Sequence, residues 1–376
     1  MDYQLVGERE RAKQMFTQLS KDKRPTVKLL YDMVSEFIFT LIQDDICVSN
    51  QTHGNTLHDI LCHFSFAYIP IPLKKQLQHH GDLVNQQKII AAGSNGRVYQ
   101  SGLFEGNPIV TKTKKKWSEN TIYEVFINFV ILNTFLLKGK LTHHIIPSYG
   151  LFICGSTKDG TEICSKDGTT LPGEHVFLVQ RYMDGITLHK RLSSPMTLAE
   201  FKKIIKTVLD VMLFFEKSVY QLYHMDMHGG NIILSENHIY IIDFELASWT
   251  LQERNGTPHR YRLNSVEHKY CGKEIILSGA YDVLFLLISC AVHKHKEIKD
   301  YCMTMIQSIY QLFWKDENVP FSVSIDMFTK KENRWLYYVL LEAETAVKKQ
   351  VVHTHNVSQL NKMTVEWFLQ HIFHDL

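Results

Sequence analysis

The chain lacks several features that mark specialised classes of protein. Its seven cysteines are scattered and odd in number, with no Cys-x-x-Cys pair, so free thiols in a reducing compartment are expected rather than a disulfide framework. The longest uncharged apolar run, Val283 to Val292, has ten residues, whereas a helix that spans a bilayer needs about 18 to 20. The N-terminal sequence is too charged for a secretory signal.

The chain also lacks a large excess of charge of either sign. The net charge is +2, which predicts neither strong affinity for nucleic acid nor a polybasic membrane anchor. Of the 376 residues, 45% are hydrophobic and 21% are charged, as in ordinary globular proteins. The length exceeds what one small core needs, so one large two-lobed domain or two domains are expected. We expect an intracellular protein without nucleic-acid or membrane partners, and the sequence leaves its oligomeric state open.

The order of the predicted elements favours an α+β protein. Residues 1–85 have the pattern of helices and loops. Strand patterns then occur at 88–99 (with a glycine-rich turn), 106–112 and 176–182, and an apolar helix is predicted at 119–137. Two KDGT tetrapeptides at 158–161 and 166–169 predict a surface hairpin, because Asp-Gly favours tight turns. Beyond residue 183 helices dominate, predicted at 197–220, 280–293, 296–315, 331–349 and 358–373. Strands followed by helices indicate a small sheet lobe and a larger helical lobe.

The most informative stretch is HMDMHGGNIILSENHIYIIDF, residues 224–244. It places Asp226 five residues before Asn231, and Asp243 twelve residues later, after an apolar run. Phosphoryl transfer needs these groups: one carboxylate orients the attacking hydroxyl, while an amide oxygen and a second carboxylate hold the metal on the nucleotide phosphates. Their order and spacing match the H-x-D-x-x-x-x-N loop, hairpin and D-F-G of protein kinases.

From about residue 86 to its end, the chain resembles the protein kinase superfamily. It is most similar to the divergent kinases of large DNA viruses and shares features with haspin-type kinases. The resemblance implies a bilobal fold, with a small β-sheet N-lobe containing one helix (86–183) and a larger, mainly helical C-lobe (184–376), preceded by the helical extension (1–85). It implies ATP and Mg²⁺ as cofactors and a protein substrate. The expected location is the cytoplasm or nucleus, or the host cell or virion for a viral source.

Residues 91–98, AAGSNGRV, resemble the loop that covers the nucleotide phosphates, with alanine at the position of the first glycine. The resemblance assigns six residues of this loop to nucleotide binding: Ala91, Gly93, Ser94, Asn95, Gly96 and Val98. Lys112 and Lys114 share a strand face by parity, so either could contact the phosphates. Lys112 is favoured because Ile109 and Val110 before it match the family's apolar approach.

The family requires a carboxylate to hold that lysine. Glu124 lies deep in the predicted helix at 119–137 and is assigned to the ion pair. It follows Lys112 by twelve residues, a shorter spacing than is usual in the family. Glu119 lies at the start of this helix, where an acid complements the helix dipole.

Residues 180–185, QRYMDG, resemble the hinge between the two lobes of a kinase. The carbonyl of Arg181 and the amide of Met183 are expected to recognise adenine. Gln180 is expected at the back of that pocket.

The chain departs from the kinase pattern at several positions. Met225 replaces the arginine that pairs with a phosphorylated activation loop. We therefore expect activity that does not depend on phosphorylation of that loop through this arginine. His228 replaces a lysine near the transferred phosphate. It can donate a hydrogen bond to phosphate, or it can be a structural histidine of the turn. Glu245 replaces the glycine of D-F-G and favours a fixed geometry. No A-P-E triplet follows, but Asp282 matches the aspartate that buttresses the catalytic loop, and a charge in so apolar a helix needs partners.

Twenty histidines raise the question of a zinc site. The tightest group is His53, His58, Cys62 and His63, and its spacing fits no well-known zinc pattern. Zinc is therefore not expected.

The leading hypothesis is an ATP-dependent, Mg²⁺-requiring serine/threonine protein kinase. Lys112, Glu124, Asp226 and His228 are its expected catalytic residues, and Asn231 and Asp243 its metal ligands. Two alternatives stay open. One is a small-molecule kinase of the aminoglycoside or choline type, which also lacks the A-P-E triplet. The other is a pseudokinase scaffold that binds nucleotide without transfer, which Ala91 and Glu245 would suit.

Overall fold

The computed structural model describes twelve ranges of the chain: 88–92, 96–104, 107–114, 123–124, 126–132, 135–136, 140–154, 175–236, 238–252, 257–261, 279–313 and 363–376. In these ranges the protein is built from helices and small antiparallel sheets, which confirms the predicted α+β class. The predicted extension at 1–85, the KDGT hairpin and the helix at 331–349 lie outside them. The chain divides into two compact units. The first comprises Met1–Asp184 and Leu251–His259, and the second comprises Gly185–Thr250 and Arg260–Leu376.

The first unit contains a five-stranded antiparallel sheet. Its strands are β1 (Lys88–Ala92), β2 (Gly96–Phe104), β3 (Asn107–Lys114), β4 (Ser148–Cys154) and β5 (His175–Arg181), in the order β1-β2-β3-β5-β4. In the register, Lys112 lies between Val98 on β2 and Leu178 on β5, and Gln180 lies between Val110 on β3 and Ser148 on β4. Directly opposite residues in antiparallel strands point to the same face of a sheet.

A helical segment packs against this sheet. Tyr123, Glu124 and Phe126 are helical, and the chain continues as a π-helix over Ile127–Leu132. The described part of the helix predicted at 119–137 is therefore helical, with a wider turn than an α-helix. Its apolar side chains are buried: Phe126, Ile127, Ile131, Leu132 and Phe135. Burial of these side chains fixes which face of the segment meets the sheet.

The described part of the second unit is mainly helical. It contains α1 (Leu188–Arg191), α2 (Leu198–Lys217), α3 (Gly279–Ala291), α4 (Lys296–Phe313) and α5 (Val365–His371). Thr197 caps α2 by accepting a hydrogen bond from the backbone N–H of Glu200, the arrangement that a Thr-x-x-Glu sequence favours. Nearly every residue of α3 is buried, as expected for a helix that is apolar all round. Within the described ranges, every helix is too short or too polar to cross a lipid bilayer.

Two predicted helix boundaries are wrong for local reasons. The helix predicted at 197–220 ends at Lys217, because Ser218 adopts an extended conformation. The helix predicted at 358–373 begins only at Val365, because Thr364 is extended and caps it by accepting from the N–H of Trp367.

The second unit also carries short strands. β6 (Ile186–Thr187), β7 (Ile232–Ser235) and β8 (His238–Ile241) form a three-stranded sheet. The chain passes from one unit to the other within β9 (Trp249–Gln252) and again within β10 (Pro258–Tyr261), and these two strands pair. Ile232 pairs with Ile241 at the open end of the β7–β8 hairpin. A 3₁₀ turn, Gly229–Asn231, directly precedes β7, and a second, Phe244–Leu246, follows β8. Both turns therefore emerge from the same end of the hairpin.

Candidate functional site

In the first unit, Lys112 forms an ion pair with Glu124. Lys112 Nζ lies 2.6 Å from Glu124 Oε1, and only 3% of the Glu124 side chain is exposed. A carboxylate this buried is stable in its charged form only beside a cation or hydrogen-bond donors. The structure brings together the lysine favoured from the sequence and the acid assigned to it.

A second polar contact lies beside this pair. Asn128, which is 4% exposed on the π-helix, donates from Nδ2 to the backbone oxygen of Glu124 at 2.8 Å. Gln180 on β5 donates from Nε2 to Asn128 Oδ1 and to Ser148 Oγ, each at 3.1 Å. These amides link the segment that carries Glu124 to strands β4 and β5. Sequence analysis missed Asn128 and Ser148, although a polar residue four positions after Glu124 in an apolar helix was a visible signal.

The other residues predicted to bind nucleotide are only partly described. Ala91 is exposed on β1, and Gly96 and Val98 lie on β2, with Val98 half-buried. Gly93, Ser94 and Asn95 lie outside the described residues. Arg181 ends β5 and is exposed, Met183 is half-buried, and between them the N–H of Tyr182 donates to the backbone oxygen of Pro108 at 2.8 Å.

In the second unit, a buried aspartate holds the turn at residues 224–226. The two carboxylate oxygens of Asp282 accept from the backbone N–H groups of His224 and Met225, at 2.8 and 2.7 Å. Met225 has a φ of 63°, a left-handed conformation that a side chain such as methionine rarely adopts unless its surroundings impose it. Burial raises the pKa of Asp282 to about 7, against the lowering effect of these two hydrogen bonds. The predicted buttress is present, and it acts on the backbone.

The ring of His224 is fixed in one tautomer. Its Nε2 lies 2.8 Å from the backbone oxygen of Ile242, and its Nδ1 accepts from the N–H of Asp226 at 3.3 Å. Because a carbonyl oxygen only accepts, Nε2 carries the hydrogen. The ring also packs on Phe244, with centroids 4.7 Å apart, and Phe244 packs on Phe215. This histidine joins the turn at 224–226 to the segment that carries Asp243.

Asp226 and Asn231 are in direct contact. Asn231 Nδ2 donates to the backbone oxygen of Asp226 at 2.8 Å and to its carboxylate Oδ2 at 3.2 Å. Since the backbone oxygen can only accept, the amide nitrogen must face Asp226. The amide oxygen of Asn231 is therefore directed elsewhere, although the residue is only 5% exposed.

Asp243 reaches the same place through the hairpin. The N–H of Ile242 donates to the backbone oxygen of Asn231 at 3.0 Å, so Asp243 follows directly after a contact with Asn231. Its φ and ψ are 64° and 63°, a left-handed conformation in which aspartate is one of the few tolerated non-glycine residues. The three residues singled out from the sequence thus lie together at one end of the β7–β8 hairpin.

The electrostatics of this cluster disfavour the ionisation of both Asp226 and Asp243. Burial, together with the negative charge of Asp243, raises the pKa of Asp226 to about 8, against the lowering effect of the hydrogen bond from Asn231. Like charges this close disfavour double ionisation, and a bound cation relieves the repulsion. Asp226 remains partly accessible, with 21% of its side chain exposed.

The ligand chemistry of the cluster is that of oxygen. The atoms that it can offer to a metal ion are carboxylate oxygens and an amide oxygen, the ligands of hard cations. Within the described ranges, no group of three or more histidine, cysteine, aspartate or glutamate side chains forms a metal site by itself. Magnesium sites of phosphotransferases commonly use one or two carboxylates and complete their shell with phosphate oxygens and water, so the residues present fit such an ion.

His228 sits beside the cluster with a structural task of its own. Its Nδ1 accepts from the N–H of Gly230 at 3.0 Å, which caps the 3₁₀ turn. Its Nε2 lies 3.7 Å from Asp226 Oδ2, longer than a hydrogen bond. Burial lowers its pKa, so the ring is neutral near pH 7 with a hydrogen on Nε2.

Comparison with known proteins adds no assignment. Neither the scan of protein-family models nor the search of curated proteins returned a match for this chain.

Proposed function

We propose that this protein is an ATP-dependent phosphotransferase of the protein kinase superfamily, with the bilobal fold of that family. Its proposed reaction is Mg²⁺-assisted transfer of the γ-phosphate to serine or threonine hydroxyls of a protein substrate. The observation that carries the proposal is the convergence of Asp226, Asn231 and Asp243 at one end of the β7–β8 hairpin. Their chemistry is the set that phosphoryl transfer requires.

Asp226 has the properties of the residue that orients the attacking hydroxyl. It is held by its contact with Asn231 and by the turn that Asp282 secures. In the proposed reaction its carboxylate accepts a hydrogen bond from the substrate hydroxyl. It takes the proton as the hydroxyl oxygen bonds to the γ-phosphorus, while the bond from that phosphorus to the bridging oxygen breaks and ADP leaves.

Asn231 and Asp243 would hold Mg²⁺ through the amide oxygen and the carboxylate. The ion supplies neutralisation of charge on the phosphates. The contribution of the chain is geometric. The hairpin register and the hydrogen bond from Ile242 to Asn231 fix the separation of the two ligands before nucleotide binds. Preorganised ligands of this kind need no rearrangement during the reaction.

Lys112 would contact the α- and β-phosphates, as the corresponding lysine does in the family. Glu124 holds it in a single position through the 2.6 Å ion pair. A long lysine side chain otherwise loses considerable rotamer freedom when it binds a ligand. The pair therefore lowers the entropy lost on nucleotide binding.

The test is transfer of labelled γ-phosphate from ATP in the presence of Mg²⁺. Asp226→Asn keeps the shape of the side chain and removes the base, so transfer should fall by about 10²- to 10⁴-fold. Asp210→Asn is the matched control, because Asp210 is an exposed aspartate on α2, and it should behave as wild type. Equal labelling by wild type and Asp226→Asn overturns the proposal.

The same assay decides the acceptor class. Peptides, sugars, aminoglycosides and choline are offered in parallel to the active protein. Labelled serine or threonine in a peptide supports a protein substrate. Label on an aminoglycoside or on choline alone replaces it with a small-molecule kinase.

A further inference from the structure

The side-chain amide of Gln180 has a fixed orientation, which follows from a chain of contacts that starts at the backbone. The backbone oxygen of Glu124 can only accept, so Asn128 must turn its Nδ2 toward it. Asn128 Oδ1 is then available as an acceptor, and Gln180 donates to it from Nε2. Ser148 Oγ accepts from the same nitrogen. Both hydrogens of the Gln180 amide nitrogen are thereby engaged.

Reversing this amide is unfavourable. Reversal would place the oxygen of Gln180 against Asn128 Oδ1 and lose the hydrogen bond to it. Two acceptors facing each other in a part-buried position lose a hydrogen bond and leave polar atoms unsatisfied. Asn128 therefore determines that Nε2 of Gln180 forms hydrogen bonds within the protein and that Oε1 faces away from Asn128.

The atom left over is an acceptor. Within the described ranges, no group donates to Gln180 Oε1, and the residue is half-buried rather than enclosed. An amide oxygen in such a place attracts an N–H group of a ligand and repels a carbonyl oxygen.

The register places this acceptor on the face that carries the phosphate lysine. Lys112 is directly opposite Leu178, and Val110 is directly opposite Gln180. Opposite residues share a face, so Gln180 and Lys112 lie on the same face, two residues apart along the strands, or about 7 Å. In the proposed site, a nucleotide whose phosphates meet Lys112 would place its base beside Gln180, because residues 180–185 resemble the hinge at which kinases hold adenine.

We infer that Gln180 determines the nucleobase specificity of this protein. It presents a locked amide oxygen that selects a base with an exocyclic amino group, such as adenine, over one with a carbonyl there, such as hypoxanthine. Asn128 is a positioning residue that acts through Gln180. The inference rests on the proposed function, because it requires that a nucleotide binds at Lys112.

The experiment compares ATP with inosine triphosphate, in which a carbonyl replaces the 6-amino group of adenine. Affinity with Mg²⁺ is measured by calorimetry for the full chain and its variants. Gln180→Leu should weaken ATP by roughly five- to tenfold, the loss of about one hydrogen bond, without weakening inosine triphosphate. Asn128→Leu frees the amide to reverse, so inosine triphosphate should bind more tightly than to wild type. The double variant should match Gln180→Leu in its preference.

The outcomes separate a specificity role from a structural one. A packing defect weakens both nucleotides alike, and that result in Gln180→Leu overturns the inference, as does an unchanged ratio of the two affinities. Circular dichroism and thermal melting check that each variant folds. If Asn128→Leu does not fold, the affinities of Gln180→Leu alone decide the outcome. If wild type itself binds no ATP with Mg²⁺, the proposed function fails. If wild type binds ATP and only the ratio is unmoved, this inference alone fails.

Discussion

Asp282 accepts hydrogen bonds from two consecutive backbone N–H groups, those of His224 and Met225, at 2.8 and 2.7 Å. The residues are more than fifty positions apart in the chain, and the carboxylate is 2% exposed. Through these bonds a helix in the second unit fixes the conformation of the turn that carries Asp226. The geometry of the candidate base therefore depends on a residue that does not contact the reacting groups.

Removal of this carboxylate should destabilise the protein and disturb the turn. Asp282→Ala leaves two buried N–H groups without their partner, each at a cost of about 1–3 kcal/mol, so the free energy of unfolding should fall by roughly 2–6 kcal/mol. Urea denaturation measures the change. Asp210→Ala, at an exposed position of α2, is the control and should change stability by less than about 0.5 kcal/mol. Similar losses in both variants contradict the role of Asp282.

The raised pKa of Asp282 predicts a pH dependence of stability. Its pKa is about 7 in the folded protein, against a usual value of 3.8, so the folded state binds this proton more tightly than the unfolded state. Stability contributed by the protonated group is present below about pH 4 and declines as pH rises to about 7. At 1.36 kcal/mol per pKa unit, the decline is of the order of 4 kcal/mol. Relative to Asp282→Asn, wild type should lose stability across this range, and a difference that is constant or increases with pH contradicts the prediction.

The Lys112–Glu124 ion pair should matter to both stability and binding. Lys112→Met removes the cation beside a carboxylate that is 3% exposed, and removal of one partner of a buried pair costs about 3–5 kcal/mol. The matched control is Lys206→Met. Lys206 pairs with Asp210 at the surface, where such pairs contribute about 0.3–0.5 kcal/mol. Urea unfolding measures stability, and ATP binding should weaken in Lys112→Met alone. Unchanged ATP affinity there removes Lys112 from the site.

Glu216 should anchor the C-terminal helix α5. Its Oε2 accepts from the backbone N–H of Val365 at 2.7 Å, at the first residue of that helix. Glu216→Ala should lower the free energy of unfolding by about 1–3 kcal/mol, the cost of a buried donor without its partner. It should also speed hydrogen exchange at the Val365 amide. Lys217→Ala breaks only the exposed pair with Glu366 and should leave that exchange rate unchanged. Equal protection of Val365 in both variants contradicts the anchor.

The local sequence predicted much of the candidate site. Asn231 and Asp226 are five residues apart and meet within one turn, and Asp243 is brought back by a single hairpin, so spacing alone predicts their proximity. The patterns of apolar residues likewise predicted strands β3 and β5 and helices α2, α3 and α4 to within a few residues.

Contacts between distant segments were not predictable in the same way. Gln180 meets Asn128 and Ser148 across 52 and 32 residues, and Glu216 meets Val365 across 149. The period of the apolar residues predicts which face of a helix or strand is buried. It does not predict which polar group from a distant segment will form a hydrogen bond on that face. The start of α5 was missed because Thr364 acts as a cap in a stretch whose apolar pattern extends further toward the N-terminus.

The central claim is that Asn231 and Asp243 hold a divalent cation together with the phosphates of ATP, and the Mg²⁺ dependence of ATP affinity tests it most directly. Asp243→Asn is the informative variant, because asparagine tolerates the left-handed conformation at this position. It keeps the shape of the side chain but removes the charge and one of the two oxygens. Calorimetric titration with ATP at increasing Mg²⁺ should show affinity that rises steeply with the ion in wild type and hardly at all in Asp243→Asn. The same Mg²⁺ dependence in both proteins would contradict the account.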